Sequence, residues 1–436
     1  MSESTSLLGD MLARITETGR SLIGSEVQAP LADRAEALLA SDGEVTGTAR
    51  AKALLDDYAA MAREERLDFL RDAAIRFGPD VDAVRMACEA FLADPGPASA
   101  RALHDRAEPR SQELLRLLNR APGGTLALVR MREDLLGALR AEPELKGLDD
   151  DFRHLFASWF NRGFLQLRRM DWQTPAAILE KIIAYEAVHA IQDWDDLRRR
   201  VAAEDRQLYG FFHPALGDEP LVFVEVALCR EIPDAIGPVL AKDRETVPPA
   251  RANTAVFYSI SACQDGLRGV SFGNFLIKQV VEELSADFPG LSTFVTLSPV
   301  PGFTHWLEAE RGGAGTAEHD ALSGLCATYL TEAKRADGRP LDAVARFHLG
   351  NGARLERINA GADASARGQR ESRGVMVNYL YDRRDIEKNH EAFAVRGEDG
   401  ETDGINTLSD MASAFNDGNS LDLAVNAEFP RRPDGL

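Results

Sequence analysis

Residues 264–273 read Gln264-Asp265-Gly266-Leu267-Arg268-Gly269-Val270-Ser271-Phe272-Gly273, between a β-rich run, Thr254 to Ser261, and an amphipathic helical stretch, Asn274 to Leu284. A glycine-bearing loop that opens a helix offers free amides and the positive end of the helix dipole, an arrangement suited to a pyrophosphate. The loop lacks both the Gly-Lys-Ser/Thr of a P-loop and the G-x-G-x-x-G of a dinucleotide fold. Spacing alone leaves an ordinary turn open. Gly269 to Gly273 also match G-x-S-x-G, the α/β-hydrolase nucleophile elbow, with Asp342 and His348 downstream in triad order. An elbow needs a strand ending at its first glycine, whereas Gln264 to Arg268 intervene here.

Three more side chains could do chemistry. Ser298 closes a strand-like run, Thr293 to Leu297, and Pro299 after it stops ladder bonding and opens a loop. His348 carries the side chain that titrates nearest neutrality, and Tyr381 ends the β-rich run Gly374 to Tyr381. Taken alone, each has a plain structural role: a turn-forming serine, a hydrogen-bonded core histidine and a packed tyrosine. His305, beside Trp306, is a further pocket candidate. No histidine or cysteine has metal-ligand spacing.

These residues need elements to hold them. From Leu31 to Arg200 apolar residues recur three and four apart in Ala-, Leu-, Arg- and Glu-rich sequence, which predicts a helical bundle. Breaks at Asp94-Pro95-Gly96 and Pro122-Gly123-Gly124 mark turns. A helix starting at Thr174-Pro175 would set Ile178, Leu179, Ile182, Ile183, Ile191, Trp194 and Leu197 near one face. After about Asp205 the pattern becomes short strands, including Leu221 to Leu228, with mobile, polar loops expected over 361–373 and 397–404.

The chain has 436 residues, 44% hydrophobic and 28% charged, a balance that excludes a disordered, collagen-like or rod-forming chain. Acidic residues outnumber basic ones 70 to 50, and the net charge of −20 opposes non-specific binding to nucleic acid or anionic membranes. Cys88, Cys229, Cys263 and Cys326 fall in no CxxC pattern and read as reduced thiols without structural zinc. The most apolar strand-like run, Leu221 to Cys229, is broken by Glu225 and has about half the length of a membrane span. Met1 to Arg20 lacks a signal-peptide core, and Asp434-Gly435-Leu436 is no peroxisomal address, so a cytoplasmic protein is expected.

Several stretches, in order, resemble the malonyl-CoA decarboxylase family. They are Gly217-Asp218-Glu219-Pro220-Leu221-Val222, Phe257-Tyr258-Ser259-Ile260-Ser261, Gly266 to Lys278, and Leu297-Ser298-Pro299-Val300-Pro301-Gly302-Phe303. Phe347-His348-Leu349-Gly350-Asn351-Gly352-Ala353 and Asn378-Tyr379-Leu380-Tyr381 complete the set. The resemblance implies an α+β protein: an all-α helical domain over 1–204, then a catalytic domain over 205–436 with the mixed sheet of the GNAT, or acetyltransferase-like, fold. It implies that Arg268, Gly269, Val270, Ser271, Phe272, Gly273 and Asn274 hold the CoA pyrophosphate. Ser271 stands where acetyltransferases have glycine and related decarboxylases often have glutamate.

The same resemblance implies a Ser298–His348 pair with Tyr381 as a third active-site residue, and a structural role for Asn351. The implied reaction converts malonyl-CoA to acetyl-CoA and CO2 with no metal and no cofactor, the CoA thioester being the substrate. Alternatives are an acyl-CoA-dependent N-acetyltransferase, a serine thioesterase using Ser271, and a non-catalytic CoA sensor. An exposed apolar face in the helical half would favour self-association into a homo-oligomer.

Overall fold

The structure, a computed structural model, describes residues 29–270, 272, 276–311 and 319–394. These fall into two compact units: one runs to Gln166 and includes Phe212–Pro220 and Gln264–Phe272, and the other comprises Leu167–Phe211, Leu221–Cys263 and the chain from Gly273. The expected boundary at 204/205 is thus not where the chain changes unit: Leu167–Phe211 packs with the second, because Gln166–Met170 and Arg206–Phe212 are already strands of its sheet.

The first unit is helical, as its three-and-four spacing predicts: Leu31–Leu39, Glu44–Ala60, Arg63–Arg76, Val81–Ala93, Pro97–Ala107, Arg110–Asn119, Gly124–Ala138 and Lys146–Trp159. Leu38, Leu54, Leu118, Leu128, Leu135 and Phe156 are fully buried at its centre. Both predicted turns fall between helices. Gly123 takes φ 74°, a conformation that favours glycine, and a Cβ on Gly124 would lie 2.3 Å from the Leu118 carbonyl oxygen, so Gly124 has no room for a side chain.

The second unit is built on a mixed sheet of eight strands: β1 (Gln166–Met170), β2 (Arg206–Phe212), β3 (Pro220–Cys229), β4 (Thr254–Ala262), β5 (Thr293–Thr296), β6 (Ser298–Pro299), β7 (Arg354–Asn359) and β8 (Met376–Leu380). Their order is β1-β2-β3-β4-β5-β8-β6, with β7 also on β8. β3 and β4 pair antiparallel, with a register shift after Glu225. β4 and β5 run parallel, joined through the helix Leu276–Asp287. The strand, loop, helix, strand order read from the sequence is therefore a crossover between adjacent parallel strands. β2, with Arg206, Gln207 and Gly210 in its run, has no strand-like pattern, yet every residue is buried; the Arg206 guanidinium is satisfied by the carbonyls of Asp205 (2.9 Å) and Val239 (2.7 Å).

Two local expectations fail for identifiable reasons. The long helix from Thr174 is two helices, Ala176–Tyr185 and Trp194–Val201. The Glu186 carboxylate accepts the amides of Val188 (2.8 Å) and His189 (2.7 Å), ending the first, and Asp193 caps the second by accepting from Asp196. The Thr174 hydroxyl, in a position to cap the first, instead accepts the Asp171 amide. Residues 361–373, read as a mobile loop, contain the helix Ala366–Ser372, capped by Ser365. Residues 397–404 lie outside the described residues. Glu225, which interrupts the apolar run of β3, is buried against Arg200 at 3.1 Å, and burial pushes its carboxyl up to about 8.

Candidate active site

Parallel pairing of β4 with β5 ends at Phe257 and Thr296, after which the Leu297 amide makes a last bond to the Phe257 carbonyl. The chain then shifts to β8: Ser298 pairs with Val377 and Pro299 with Met376. Pro299 has no N–H to give, consistent with the ladder stopping there. The C-terminal part of β4 and the Ser298 end of the neighbouring chain thus part company, and ligands in such sheets commonly enter beyond the carboxyl ends of the strands.

Ser298 Oγ lies 3.0 Å from His348 Nε2, and His348 Nδ1 lies 2.9 Å from the Tyr381 hydroxyl. The structure therefore joins, in one chain of hydrogen bonds, three residues that are 50 and 33 positions apart. His348 is delivered by the helix Ala343–Gly350, whose first turn is capped by Asp342 accepting the Ala345 amide at 2.8 Å. Tyr381 follows β8 directly, and its amide donates to the Phe294 carbonyl at 2.8 Å. The Tyr379 ring stacks on the imidazole with centroids 4.7 Å apart. Ser298 is 6% exposed, His348 3% and Tyr381 1%.

Burial sets the electrostatics. With no charged partner among the described residues to compensate desolvation, the imidazole is pushed down to about 3, and the Tyr381 phenol is pushed well above its ordinary range. The resting trio is therefore neutral at physiological pH. Both ring nitrogens of His348 are engaged, by Ser298 and Tyr381, so Asp342 is a helix cap and not the acid of a triad. That removes the histidine from the elbow reading of Gly269 to Gly273.

Among the other candidates, Asn351 closes the His348 helix, its side chain donating to the Phe347 carbonyl at 2.8 Å. His305 is exposed on the helix Phe303–Arg311, away from the trio's hydrogen bonds. Sequence reasoning missed Thr296, whose hydroxyl accepts from Ser298 at 2.9 Å, and Tyr379. Thr296 stands two residues before Ser298, the spacing that puts side chains on one side of an extended chain, and that was the available signal.

The glycine loop belongs to the helical unit. Arg132, 1% exposed, pairs with Asp149 at 2.9 Å and donates to the carbonyls of Gly266 (2.6 Å) and Arg268 (3.0 Å). The amides of Arg268 and Val270 are spent inside the loop, on the carbonyls of Asp265 and Leu267. Gly269 takes φ 78°, and Arg268 is solvent-facing, paired with Asp265 at 2.7 Å. Phe272 is half-buried, whereas Ser271, Gly273 and Asn274 lie outside the described residues. Among the described residues no helix is long and apolar enough to cross a membrane.

Comparison with known proteins matches residues 77–160 to the malonyl-CoA decarboxylase N-terminal domain and residues 163–319 and 314–417 to the malonyl-CoA decarboxylase C-terminal domain. The chain is 38% identical over 336 residues to the mitochondrial malonyl-CoA decarboxylase of Anser anser anser, covering 65% of this chain and 66% of that protein. It is 37% identical over 324 residues to the mitochondrial enzyme of Mus musculus, covering 63% and 65%. The chain thus spans a little under two thirds of these curated relatives. Among solved structures, malonyl-CoA decarboxylase from Rhodopseudomonas palustris is 53% identical with a TM-score of 0.81, covering 84% of this chain and 96% of that one. The Agrobacterium vitis protein of the same name is 50% identical with a TM-score of 0.79, covering 87% and 99%.

Proposed function

The chain belongs to the malonyl-CoA decarboxylase family, and from that premise we propose that it converts malonyl-CoA to acetyl-CoA and CO2, with Ser298, His348 and Tyr381 as its reacting and orienting groups. The observation that carries this reading is the unbroken chain of hydrogen bonds from Tyr381 through His348 to Ser298, beside the point where β4 and β5 separate.

Malonyl-CoA is a β-carbonyl acid. When its C–C bond breaks, the electron pair moves into the thioester, CO2 leaves and an enolate remains; one proton is then taken up at the α-carbon. The thioester is its own electron sink, so the reaction needs no metal, pyridoxal or biotin. The protein has to supply a donor to the enolate oxygen, hold the carboxylate out of the thioester plane and deliver the proton. A neutral His348 enters as a hydrogen-bond donor. The substrate's carboxylate beside it favours the imidazolium, the form with a proton to give. Tyr381 holds its own proton tightly and so orients the ring without feeding it.

Arg268 and its loop, through Asn274, are assigned to the CoA phosphates by the family resemblance, with Arg132 holding the loop's carbonyls inward. A second copy of the chain is assigned to the helices Val81–Ala93 and Pro97–Ala107. Neither buries a residue, and Met86 (68%) and Leu92 (71%) stand exposed.

Incubating purified protein with malonyl-CoA and following acetyl-CoA and CO2 tests the reading. His348→Gln should lose about 10²–10³ in kcat, the usual cost of one oxyanion donor, and Ser298→Ala, which removes the partner of the imidazole, should lower kcat as well. Hydrolysis to free CoA, acyl transfer to an amine without CO2, or tight CoA binding without turnover would each reject it.

A further inference from the structure

Thr296 has no role in the reading above, yet it decides which way the site's hydrogens point. Its hydroxyl oxygen lies 2.9 Å from Ser298 Oγ, in a geometry that makes Ser298 the donor. The same oxygen accepts the Tyr379 amide at 3.1 Å, and the residue is fully buried. A serine hydroxyl has a single hydrogen. With that hydrogen given to Thr296, Ser298 Oγ can only accept from His348, so Nε2, 3.0 Å away, carries the ring hydrogen. A neutral imidazole has one N–H, which leaves Nδ1 bare to accept the Tyr381 hydroxyl at 2.9 Å. All the hydrogens then run in one direction, from Tyr381 to His348 to Ser298 to Thr296.

The opposite order uses the same atoms at the same distances. If Ser298 turned its hydrogen to Nε2, His348 would carry Nδ1–H and aim it at the Tyr381 oxygen, away from Ser298. Among the described residues, the group bonded to the trio that opposes that flip is the acceptor at Thr296. We propose that Thr296 is a positioning residue that takes the Ser298 hydrogen and thereby fixes His348 as its Nε2–H tautomer, aiming the ring's donor at Ser298 and not at Tyr381. The inference rests on the reading of Ser298 and His348 as the reacting pair.

Long-range proton–nitrogen spectra of the full chain labelled with ¹⁵N-histidine read the tautomer directly, with the His348 signals assigned by their loss in His348→Gln. The unmodified protein should show Nε2–H. Thr296→Val, which keeps the shape and removes the acceptor, should populate Nδ1–H and lower kcat for acetyl-CoA formation at least about tenfold while KM stays within about twofold. Thr296→Ser should restore Nε2–H and bring kcat to within about threefold of the starting value. Nδ1–H in the unmodified protein overturns the proposal, and this measurement needs no variant of Thr296 to fold. Thr296→Val keeping both Nε2–H and full kcat, or losing kcat with no change of tautomer, overturns it as well. Full activity in His348→Gln would instead reject the underlying reading, while the tautomer would still report on Thr296.

Discussion

Acidification should destabilise this protein through the burial of His348. In the folded chain the imidazole is sealed between Ser298, Tyr381 and the Tyr379 ring and is pushed down to about 3 by burial. In the unfolded chain it returns to its ordinary value of about 6.5. Below that value the unfolded state binds a proton that the folded state refuses, so the stabilising difference is intact above about pH 6.5 and is lost progressively as pH falls toward 3. Each unit in that window costs about 1.4 kcal/mol, and going from about pH 7.5 to about pH 5 crosses roughly one and a half such units. The loss from this one residue is therefore about 2 kcal/mol. Urea unfolding of the unmodified protein and of His348→Gln at both pH values isolates it, because every other group titrates in both proteins. The His348→Gln protein starts less stable but should lose about 2 kcal/mol less on acidification. Equal losses in the two proteins, or a His348 ring that takes a proton near pH 6 in the folded state, would refute a neutral, desolvated imidazole.

Two further expectations concern the helical unit. Arg132→Met removes the buried partner of Asp149 and both anchors of the glycine loop, though Asp149 keeps Lys146 at 3.0 Å. Breaking a buried pair costs 3–5 kcal/mol, and the surviving lysine puts the loss at about 3 kcal/mol by denaturant unfolding. The KM for malonyl-CoA should rise with kcat little changed; an unaltered KM would separate the loop from substrate binding. Met86→Glu with Leu92→Glu places charge on the exposed face of Val81–Ala93 and should shift sedimentation equilibrium toward the monomer at unchanged secondary structure. An unshifted distribution would reject self-association through that face.

What the sequence disclosed and what it hid divide along a physical line. Strands whose signal is local, such as β3, β4 and β8, were legible because their runs of Val, Phe, Tyr and Ile leave no competing period. β2 was not, since Arg206 belongs to a strand only because the carbonyls of Asp205 and Val239, the latter 33 residues away, satisfy its guanidinium. The break at Glu186 was hidden likewise: Ile178 to Leu197 keep a helical period across it, and only the carboxylate's grip on two amides, reinforced by Ser259 at 2.8 Å from β4, bends the chain. At the site, the identities of Ser298, His348 and Tyr381 came from resemblance, and their convergence needed β5, β8 and one capped helix to be in register. Thr296 shows the limit most directly. Its spacing from Ser298 predicts a shared side, but a spacing carries no information about which oxygen gives up its hydrogen. That direction depends on angles at two hydroxyls and on the Tyr379 amide arriving from 83 residues away to occupy the same oxygen. The polarity of such a network is a tertiary property, and for that reason the tautomer of His348 is the measurement in which sequence and structure make separable claims.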